Sequence, residues 1–423
     1  MREKEARNFI TNPTDFKRER KLSFEHTVYL LTNLLKKSLS VEIYEFFNSI
    51  GATTKEYSKS AFTQQRDKLS ADFFASWNVK LVESFYSHYQ ERVKRWHGYR
   101  LIAIDGSTAY LINKPGLKAY FGVQANQIKE VVMGQIMSAY DVLNGITIGA
   151  CLLPIRYSEQ FIVNKWVDSF EPDMLMLYDR GYPSFATIYL HLSQEQPITF
   201  VMRCKTTFNK EVIEFMQEDV TSKEVEFKAT SSAIEELAKH GYKINKTTSI
   251  KVRLVKVVLK DGFTEVLITN LYDEKQYPTK IFKSLYFTRW GIETNYGTQK
   301  NKLQLECFSG YKVNSILQDF YANIFVNNLQ SIISKPAEQG AATKTSNRKY
   351  TYKINQNVSI GIMKHKIAEL FTTENPEDIL TELEALFLRN LEPVRPDRSY
   401  ERVVKDKRKN GKYQTLTNYK RAF

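Results

Sequence analysis

The spacing of hydrophobic residues divides the chain into two parts. Up to about residue 95, apolar positions recur every three or four residues, which is the period of an amphipathic helix. The segments with this spacing are 27–37, 41–50, 58–69 and 71–89. We therefore predict a helical region at 1–95.

From residue 99 the pattern changes to short apolar runs bounded by turn residues, as expected of strands. Strands are predicted at 100–104, 130–141, 146–153, 174–178 and 198–203, with helices at 158–170 and 184–195. Asn144 and Gly145 predict a tight hairpin turn, and Ser158 is a candidate helix N-cap. The order β-β-β-α-β-α-β predicts an α/β fold in which helices cover a mixed sheet.

Residues 206–279 interrupt this alternation. Two runs rich in Val, Ile, Leu and Thr, at 249–259 and 263–271, flank an Asp-Gly turn and predict a long hairpin. Further helices are predicted at 277–306, 313–333 and near 377–389, with a loop at 336–347. We expect four regions: a helical region at 1–95, an α/β core at 96–205 and 280–335, a β-rich insertion at 206–279, and a C-terminal region with a basic tail at 336–423.

The charge of the chain points to a polyanionic partner. The 423 residues include 61 Lys and Arg against 47 Asp and Glu, which gives a net charge of +14. Ten basic and three acidic residues in 395–423 supply +7 of this. Nucleic acid or an anionic membrane surface would suit such a surplus, and a solvated tail without a partner is the alternative. The tail lacks the apolar face of a membrane-bound helix, which favours nucleic acid.

Several classes of protein are excluded by composition. Three distant cysteines cannot form a disulfide framework or a cysteine-based zinc site. The longest apolar stretch, 145–155, is about half of the ~20 residues that a membrane span needs. The N-terminus is charged and lacks the apolar segment of a secretory signal. We expect a cytoplasmic protein with no membrane partner.

One short segment of the helical region carries a polar and basic face. Ser60, Gln64, Arg66 and Lys68 lie on or near one predicted helix. This composition suits phosphate contact or groove reading, although amphipathic helices with a basic face are common in other settings. DNA contact by the region 1–95 is the hypothesis that it supports.

Two aspartates occupy equivalent positions after apolar strands. Asp105 follows the run 100–104, and Asp179 follows 174–178. Ligands of open α/β sheets gather at this edge, and carboxylates there can hold Mg²⁺ by oxygen ligation. The alternative for either aspartate is that it caps a turn.

A third carboxylate lies in a predicted helix among basic residues. Tyr286, Arg289, Glu293 and Lys300 have offsets of 0, 3, 7 and 14 residues, which place them on one helical stripe. This arrangement is typical of a metal ligand flanked by phosphate binders. The alternative is a surface ion pair between Arg289 and Glu293.

These motifs resemble those of the DDE transposases of bacterial insertion sequences, in the subgroup with a Tyr-x2-Arg-x3-Glu-x6-Lys motif. Tyr286, Arg289, Glu293 and Lys300 match all four positions of that motif. The sequence around Asp105 (Ile-Asp-Gly-Ser) resembles the first aspartate motif of the family. The sequence Tyr-Asp-Arg-Gly-Tyr at 178–182 resembles the second. The resemblance covers roughly 96–335.

The resemblance implies a ribonuclease H-like catalytic domain in which Asp105, Asp179 and Glu293 bind two Mg²⁺ ions, with Mn²⁺ able to substitute. It also implies a β-rich insertion that helps to form a DNA hairpin and places a tryptophan on a flipped base. The insertion here contains no tryptophan. Phe208, Phe227 and Phe263 are therefore the candidate stacking residues.

The expected function is a transposase that cleaves the ends of its mobile element and joins them to target DNA. Tyr286, Arg289, Lys300, Arg180 and Tyr182 are the expected DNA contacts, with packing of the active-site loop as a second role for Tyr182. Its partners would be terminal inverted repeats and target DNA, bound by a homodimer on the bacterial nucleoid. The alternatives are a ribonuclease H-like endonuclease without strand transfer and a catalytically inactive DNA-binding inhibitor of transposition.

Overall fold

A computed structural model describes residues 3–17, 22–33, 36–51, 57–125, 130–259 and 262–395. It has a large mixed sheet with many helices, which confirms the predicted α/β class. All but the first residue of the basic tail 395–423 lies outside the described residues, as do Lys260 and Asp261 of the predicted Asp-Gly turn.

The helices and strands are numbered here in chain order. The helices are α1 Glu3–Ala6, α2 Phe24–Thr32, α3 Leu39–Ser49, α4 Lys59–Arg66, α5 Asp72–His88, α6 Pro115–Phe121, α7 Glu159–Trp166, α8 Phe185–Leu192, α9 Lys210–Gln217, α10 Ser231–Lys239, α11 Thr279–Phe287, α12 Gly291–Gly297, α13 Val313–Lys344, α14 Gln356–Thr372 and α15 Pro376–Arg389. The strands are β1 Arg100–Tyr110, β2 Val123–Ala125, β3 Glu130–Asp141, β4 Ile146–Pro154, β5 Met174–Tyr178, β6 Thr199–Cys204, β7 Ser222–Lys228, β8 Ser249–Val258, β9 Thr264–Thr269, β10 Thr351–Ile354 and β11 Leu391–Val394.

The chain forms two compact units. The first comprises Met1–His88, Ala109–Gly134 and Gly297–Phe423, and the second comprises Tyr89–Thr108 and Gln135–Tyr296.

The first unit is mainly helical. Its long helix α13 carries Phe325, whose ring stacks on Trp77 of α5 at 4.0 Å between centroids. Apolar residues of α14 and α15, including Met363 and Phe387, belong to the same core as Phe325. A small antiparallel pair, β10 with β11, lies beside these helices. The helices predicted for the N-terminal region are confirmed with shifted ends.

The second unit contains the predicted sheet. Its strands lie in the order β4-β3-β1-β5-β6-β9-β8-β7, with β1, β5 and β6 parallel to one another. The predicted hairpin turn between β3 and β4 is confirmed, because Gly145 has a φ of +71° and donates its N–H to the Asp141 carbonyl at 2.8 Å. Ser158 caps α7 as predicted, accepting a hydrogen bond from the Phe161 N–H at 3.2 Å.

The segment 206–279 extends this sheet. The predicted hairpin is confirmed as β8 paired with β9, and the third strand β7 pairs with β8. Helices α9 and α10, which were not predicted, lie in the same segment. Because β9 also pairs with β6, the inserted strands continue the sheet that carries the two aspartates.

The predicted loop at 336–347 was wrong, because α13 continues through Pro336 to Lys344. Ala337 and Ala341 are fully buried there, and Gly340 lies close to the Leu388 side chain. Burial of one helix face therefore outweighs the loss of one backbone hydrogen bond at the proline.

Two other predicted boundaries differ from the structure. Strand β1 continues to Tyr110, so Asp105 lies within a strand and not after its end. The predicted helix 277–306 is divided into α11, a 3₁₀ turn at Thr288–Trp290, α12 and a π-helical turn at Thr298–Lys302. In the described part of the chain, we find no helix whose length and apolarity would let it cross a membrane.

Candidate active site

The pairing of β1 with β5 brings the two aspartates together. The two strands are parallel, and Ile104 lies opposite Tyr178. Asp105 is the next residue of β1, and Asp179 directly follows the end of β5. Neighbouring strands in a sheet run about 4.8 Å apart. Two residues separated by 74 positions in the sequence thus occupy adjacent places on one sheet.

Glu293 joins this pair through Arg289. Glu293 lies in the first turn of α12, and its Oε1 accepts a hydrogen bond from Arg289 Nη2 at 2.8 Å. Nη1 of the same guanidinium lies 4.0 Å from Asp105 Oδ2. The Arg289 side chain is only 3% exposed, so this guanidinium is a buried cation shared by two carboxylates. The surface ion pair considered as an alternative does not describe it.

Asp179 is contacted by Tyr286 and Arg203. Tyr286 donates its hydroxyl to the Tyr178 carbonyl at 3.3 Å and lies 3.4 Å from Asp179 Oδ1. Arg203 of β6 lies 3.9 Å from Asp179 Oδ1 and pairs with Glu265 of β9 at 3.0 Å. Arg203 therefore links the inserted strand β9 to the second aspartate. Sequence analysis missed Arg203, because an arginine within a strand gives no signal of what it faces.

Glu159 is a fourth carboxylate beside Asp105. It begins α7, accepts a hydrogen bond from the Tyr182 hydroxyl at 2.6 Å, and accepts another from Gln135 Nε2 at 3.3 Å. A Cβ atom added at Gly106 would overlap the Glu159 carboxylate. The glycine after Asp105 thus permits the close approach of Glu159. The N-cap at Ser158 was visible in the sequence, but the tertiary contacts of Glu159 were not.

The negative charges are crowded around Asp105. Burial, together with the charges of Glu159 and Glu293, raises the pKa of Asp105 to about 7, against the opposing effects of Arg289 and the Gly106 N–H. A carboxyl with this pKa is partly protonated at neutral pH. Any additional cation bound here would relieve the repulsion and restore the charged form.

The predicted DNA contacts fall into different environments. Arg180 is exposed, whereas Tyr182 is buried, packs against Tyr178 and bonds to Glu159. Of the two roles left open for Tyr182, packing of the active-site loop is the one that its position favours. Tyr286 is buried against Asp179, and its ring centroid lies 5.9 Å from Arg289 Cζ.

Lys300 lies in the first unit, in the π-helical turn Thr298–Lys302. Its Nζ lies 3.9 Å from Glu306 Oε1. Burial lowers the pKa of Lys300, and the charge of Glu306 opposes this effect.

Other predicted contact residues belong to the core. Arg66 is fully buried in the first unit, where its guanidinium pairs with Asp319 at 2.9 Å and donates to Gln318 at 2.8 Å. Arg66 therefore does not belong to the basic surface that the sequence suggested, and DNA contact by the region 1–95 stays a prediction. Among the candidate stacking residues, Phe227 is buried and packs against the half-buried Phe208, whereas Phe263 is 72% exposed.

The donor set of the site suits a hard divalent cation. Asp105, Asp179 and Glu293 provide carboxylate oxygens, the ligands that Mg²⁺ prefers. Arg289 Nε is a buried donor with no hydrogen-bond partner among the residues that the structure describes, as expected where a phosphate oxygen would bind. No group of three or more His, Cys, Asp or Glu residues in the described ranges has the arrangement of a ready-made metal site. Arg289 lies against two of the three carboxylates instead.

Comparison with known proteins finds similarity among solved structures. No protein-family model matches the chain, and no curated protein matches it. Among solved structures, the chain is similar to a piggyBac transposase in a cryo-EM structure of its synaptic complex with hairpin DNA. The likeness covers 94% of this chain and 85% of that chain, with a TM-score of 0.46 and 11% sequence identity. What that complex binds is a property of that protein.

Proposed function

We propose that this protein is a DDE-type DNA transposase of the insertion-sequence kind, which cleaves the ends of a mobile element and joins them to target DNA. The observation that carries the proposal is the β1–β5 register, which makes Asp105 and Asp179 neighbours. Glu293, 114 residues further along the chain, meets Asp105 through Arg289. Three carboxylates from the three motifs therefore share one site.

The fold of the second unit supports a ribonuclease H-like core. Leaving out the segment in the first unit, the order of elements is β1, β3, β4, α7, β5, α8 and β6, which is the β-β-β-α-β-α-β order expected from the sequence. Helices α7 and α8 cover one face of the sheet, where Ile162 and Ile188 pack in one cluster with Ile104 and Met176. Asp179 follows the carboxyl end of β5, where such folds bind ligands, and Asp105 lies within the neighbouring strand β1.

The residues divide into ligands and positioning groups. Asp105, Asp179 and Glu293 would hold two Mg²⁺, or Mn²⁺ in their place. When bound, such a pair supplies activation of the attacking water or 3′-hydroxyl and stabilisation of the leaving oxygen. Arg289 holds Glu293 in the first turn of α12 and offers its Nε to a phosphate oxygen, while Tyr286 orients Asp179.

The proposed partners are terminal inverted repeats and target DNA. The net charge of +14 suits both, and exposed Arg180 directly follows Asp179. Bringing two element ends together requires at least a homodimer on the DNA. The proposed location is the cytoplasm of a bacterium, on its nucleoid.

The test is cleavage of DNA that carries the element ends, with Mg²⁺ present. We expect Asp105→Ala, Asp179→Ala and Glu293→Ala each to abolish cleavage with little effect on DNA binding. A double variant should be no worse than a single one, because the carboxylates act as a unit. Asp168→Ala is the matched control, since Asp168 is an exposed aspartate of the same unit that bonds to Gln194. It should cleave like the unaltered protein.

Three results would redirect the proposal. Mg²⁺-dependent cutting by any of the three carboxylate variants would refute the site. Cut ends that are never joined to target DNA would indicate the endonuclease. Binding of element ends by the unaltered protein, without any cutting, would indicate the inactive inhibitor.

A further inference from the structure

Helix α7 and the two residues before its N-cap carry a column of two aromatic rings flanked by two cations at the surface of the second unit. The rings of Tyr157 and Phe161 are stacked, with centroids 5.3 Å apart and planes 15° from parallel. The Arg156 guanidinium lies 4.9 Å from the Tyr157 ring, and Lys165 Nζ lies 5.7 Å from the Phe161 ring. The four side chains thus follow one another as cation, ring, ring, cation.

This column is accessible to a partner. Phe161 is 38% exposed, and Arg156 and Lys165 are also exposed. Stacked rings of this kind are normally placed in a core, where they remove apolar area from water. Here only Tyr157, which is half-buried just before α7, packs against the core, and Phe161 lies on the exposed face of the helix.

The column adjoins the proposed active site. Glu159, which contacts Gly106 and Tyr182, lies between Tyr157 and Phe161 in the sequence. The next residue, Gln160, donates its side-chain amide to the carbonyl of Gly181 at 3.0 Å. The first turn of α7 therefore touches both aspartate motifs on one side and carries the column on the other.

We propose that the column formed by Arg156, Tyr157, Phe161 and Lys165 binds unpaired nucleotides of a DNA strand. A base would extend the stack on the exposed face of Phe161, in place of the Lys165 ammonium that now lies over it, and the neighbouring phosphate would meet the charge of Lys165 or Arg156. Neither feature depends on base sequence, so binding should be sequence-tolerant. The inference deepens the proposed function, on which it rests for the identity of the strand as DNA.

The experiment measures binding of a fluorescein-labelled 12-nucleotide oligo(dT) by the full-length protein in a chelating buffer, by fluorescence anisotropy. Stacking on a ring is worth roughly tenfold or more in affinity per base. Phe161→Leu keeps the apolar volume and loses the aromatic face, so we expect it to raise Kd roughly tenfold. Phe161→Trp should restore binding. Arg156→Gln and Lys165→Gln should each lower the slope of log K against log salt by about 0.7.

Three controls make the result specific. Tyr44→Ala removes another exposed aromatic, on α3, and Lys210→Gln removes an exposed lysine of α9; both should leave oligo(dT) binding unchanged. An oligonucleotide of abasic residues should bind the Phe161→Leu variant and the unaltered protein equally.

The proposed role of the column would be refuted if the Phe161→Leu variant bound oligo(dT) like the unaltered protein. It would also be refuted if the variant lost as much affinity for the abasic strand as for oligo(dT). These outcomes are separate from those of the cleavage test. If the protein binds oligo(dT) through the column but never cuts element ends, the proposal for the column stands and the proposal of a transposase is refuted. If the protein cuts element ends but Phe161→Leu does not change oligo(dT) binding, the proposal of a transposase stands and the proposal for the column is refuted.

Discussion

His191 should make the second unit sensitive to acid. The imidazole is fully buried on α8, with Nδ1 2.8 Å from the Thr187 carbonyl and Nε2 2.9 Å from the Tyr178 hydroxyl. A carbonyl only accepts, so Nδ1 carries the proton of the neutral ring and Nε2 accepts from Tyr178. Protonation of the ring would put a second N–H against the hydroxyl of Tyr178, the residue that precedes Asp179.

The loss of folding stability in acid follows from the pKa of His191. Burial lowers the pKa of His191 to about 4, against the Thr187 carbonyl, from an ordinary value of 6.5. The unfolded chain then binds the proton more readily than the folded one, so stability that is present above pH 6.5 is lost as the pH falls toward 4. From pH 7 to pH 5 this loss is about 2 kcal/mol.

Asp105 acts in the opposite direction. Its pKa is raised by burial to about 7 in the folded protein, so its protonation favours the folded state over the same pH range. The stability of the unaltered protein can therefore change little with pH although both groups titrate. The informative quantity is the difference between the unaltered protein and His191→Gln, because Asp105 is present in both.

We expect the stability lost through His191→Gln to be smaller at pH 5 than at pH 7 by about 2 kcal/mol. Urea unfolding in chelating buffer, followed by tryptophan fluorescence, measures it. Replacing His88, which is exposed at the end of α5, serves as the matched control and should show no such change. An equal loss at both pH values would refute the assignment of a buried neutral imidazole.

Four further expectations can be tested directly. Gly106→Ala should lower cleavage at least tenfold because its Cβ overlaps Glu159, and Glu159→Ala in the same chain should remove that added effect; a fully additive pair would contradict the overlap. Arg66→Met should cost about 3–5 kcal/mol in urea unfolding, since it leaves a buried acidic partner unpaired, and a cost below 1 kcal/mol would place the pair at the surface. Deleting 395–423 should lower the salt slope of duplex DNA binding by about 0.9 for each phosphate that the tail neutralises, whereas an unchanged slope would identify a solvated tail. If a hairpin intermediate forms, denaturing gels should show ends of twice the single-strand length, and Phe263→Ala should reduce them; free ends alone at early times would exclude the hairpin.

The sequence predicted most of the sheet because the local pattern of apolar and turn residues marks each strand. Strands β3 and β5 have the predicted ends, since each is an apolar run bounded by turn residues. The motif spacing also gave Asp105, Asp179 and Glu293 as the candidate carboxylates, and their role stays a prediction. What brings them together is strand register and helix packing.

The errors have a common physical origin. Arg66 reads as a surface residue because its neighbours on α4 are polar, but four partners from 309–319 enclose it. The loop at 336–347 was predicted from composition, which does not show that Ala337 and Ala341 would be buried. In both cases tertiary packing determines whether the residue is buried, and a local sequence pattern carries no information about tertiary packing.

The strand pairing of the insertion also bears on aggregation. Strand β6 is almost fully buried, and β9 covers the side of it that β5 leaves open. Removing the insertion would turn β6 into an apolar edge strand, a template for pairing with another chain. The sheet ends instead at β7, where Lys223, Glu224, Glu226 and Lys228 are exposed. With the insertion, the edge strand of the sheet is therefore charged and not apolar. A shortened protein that keeps β9 without β7 should be prone to self-association.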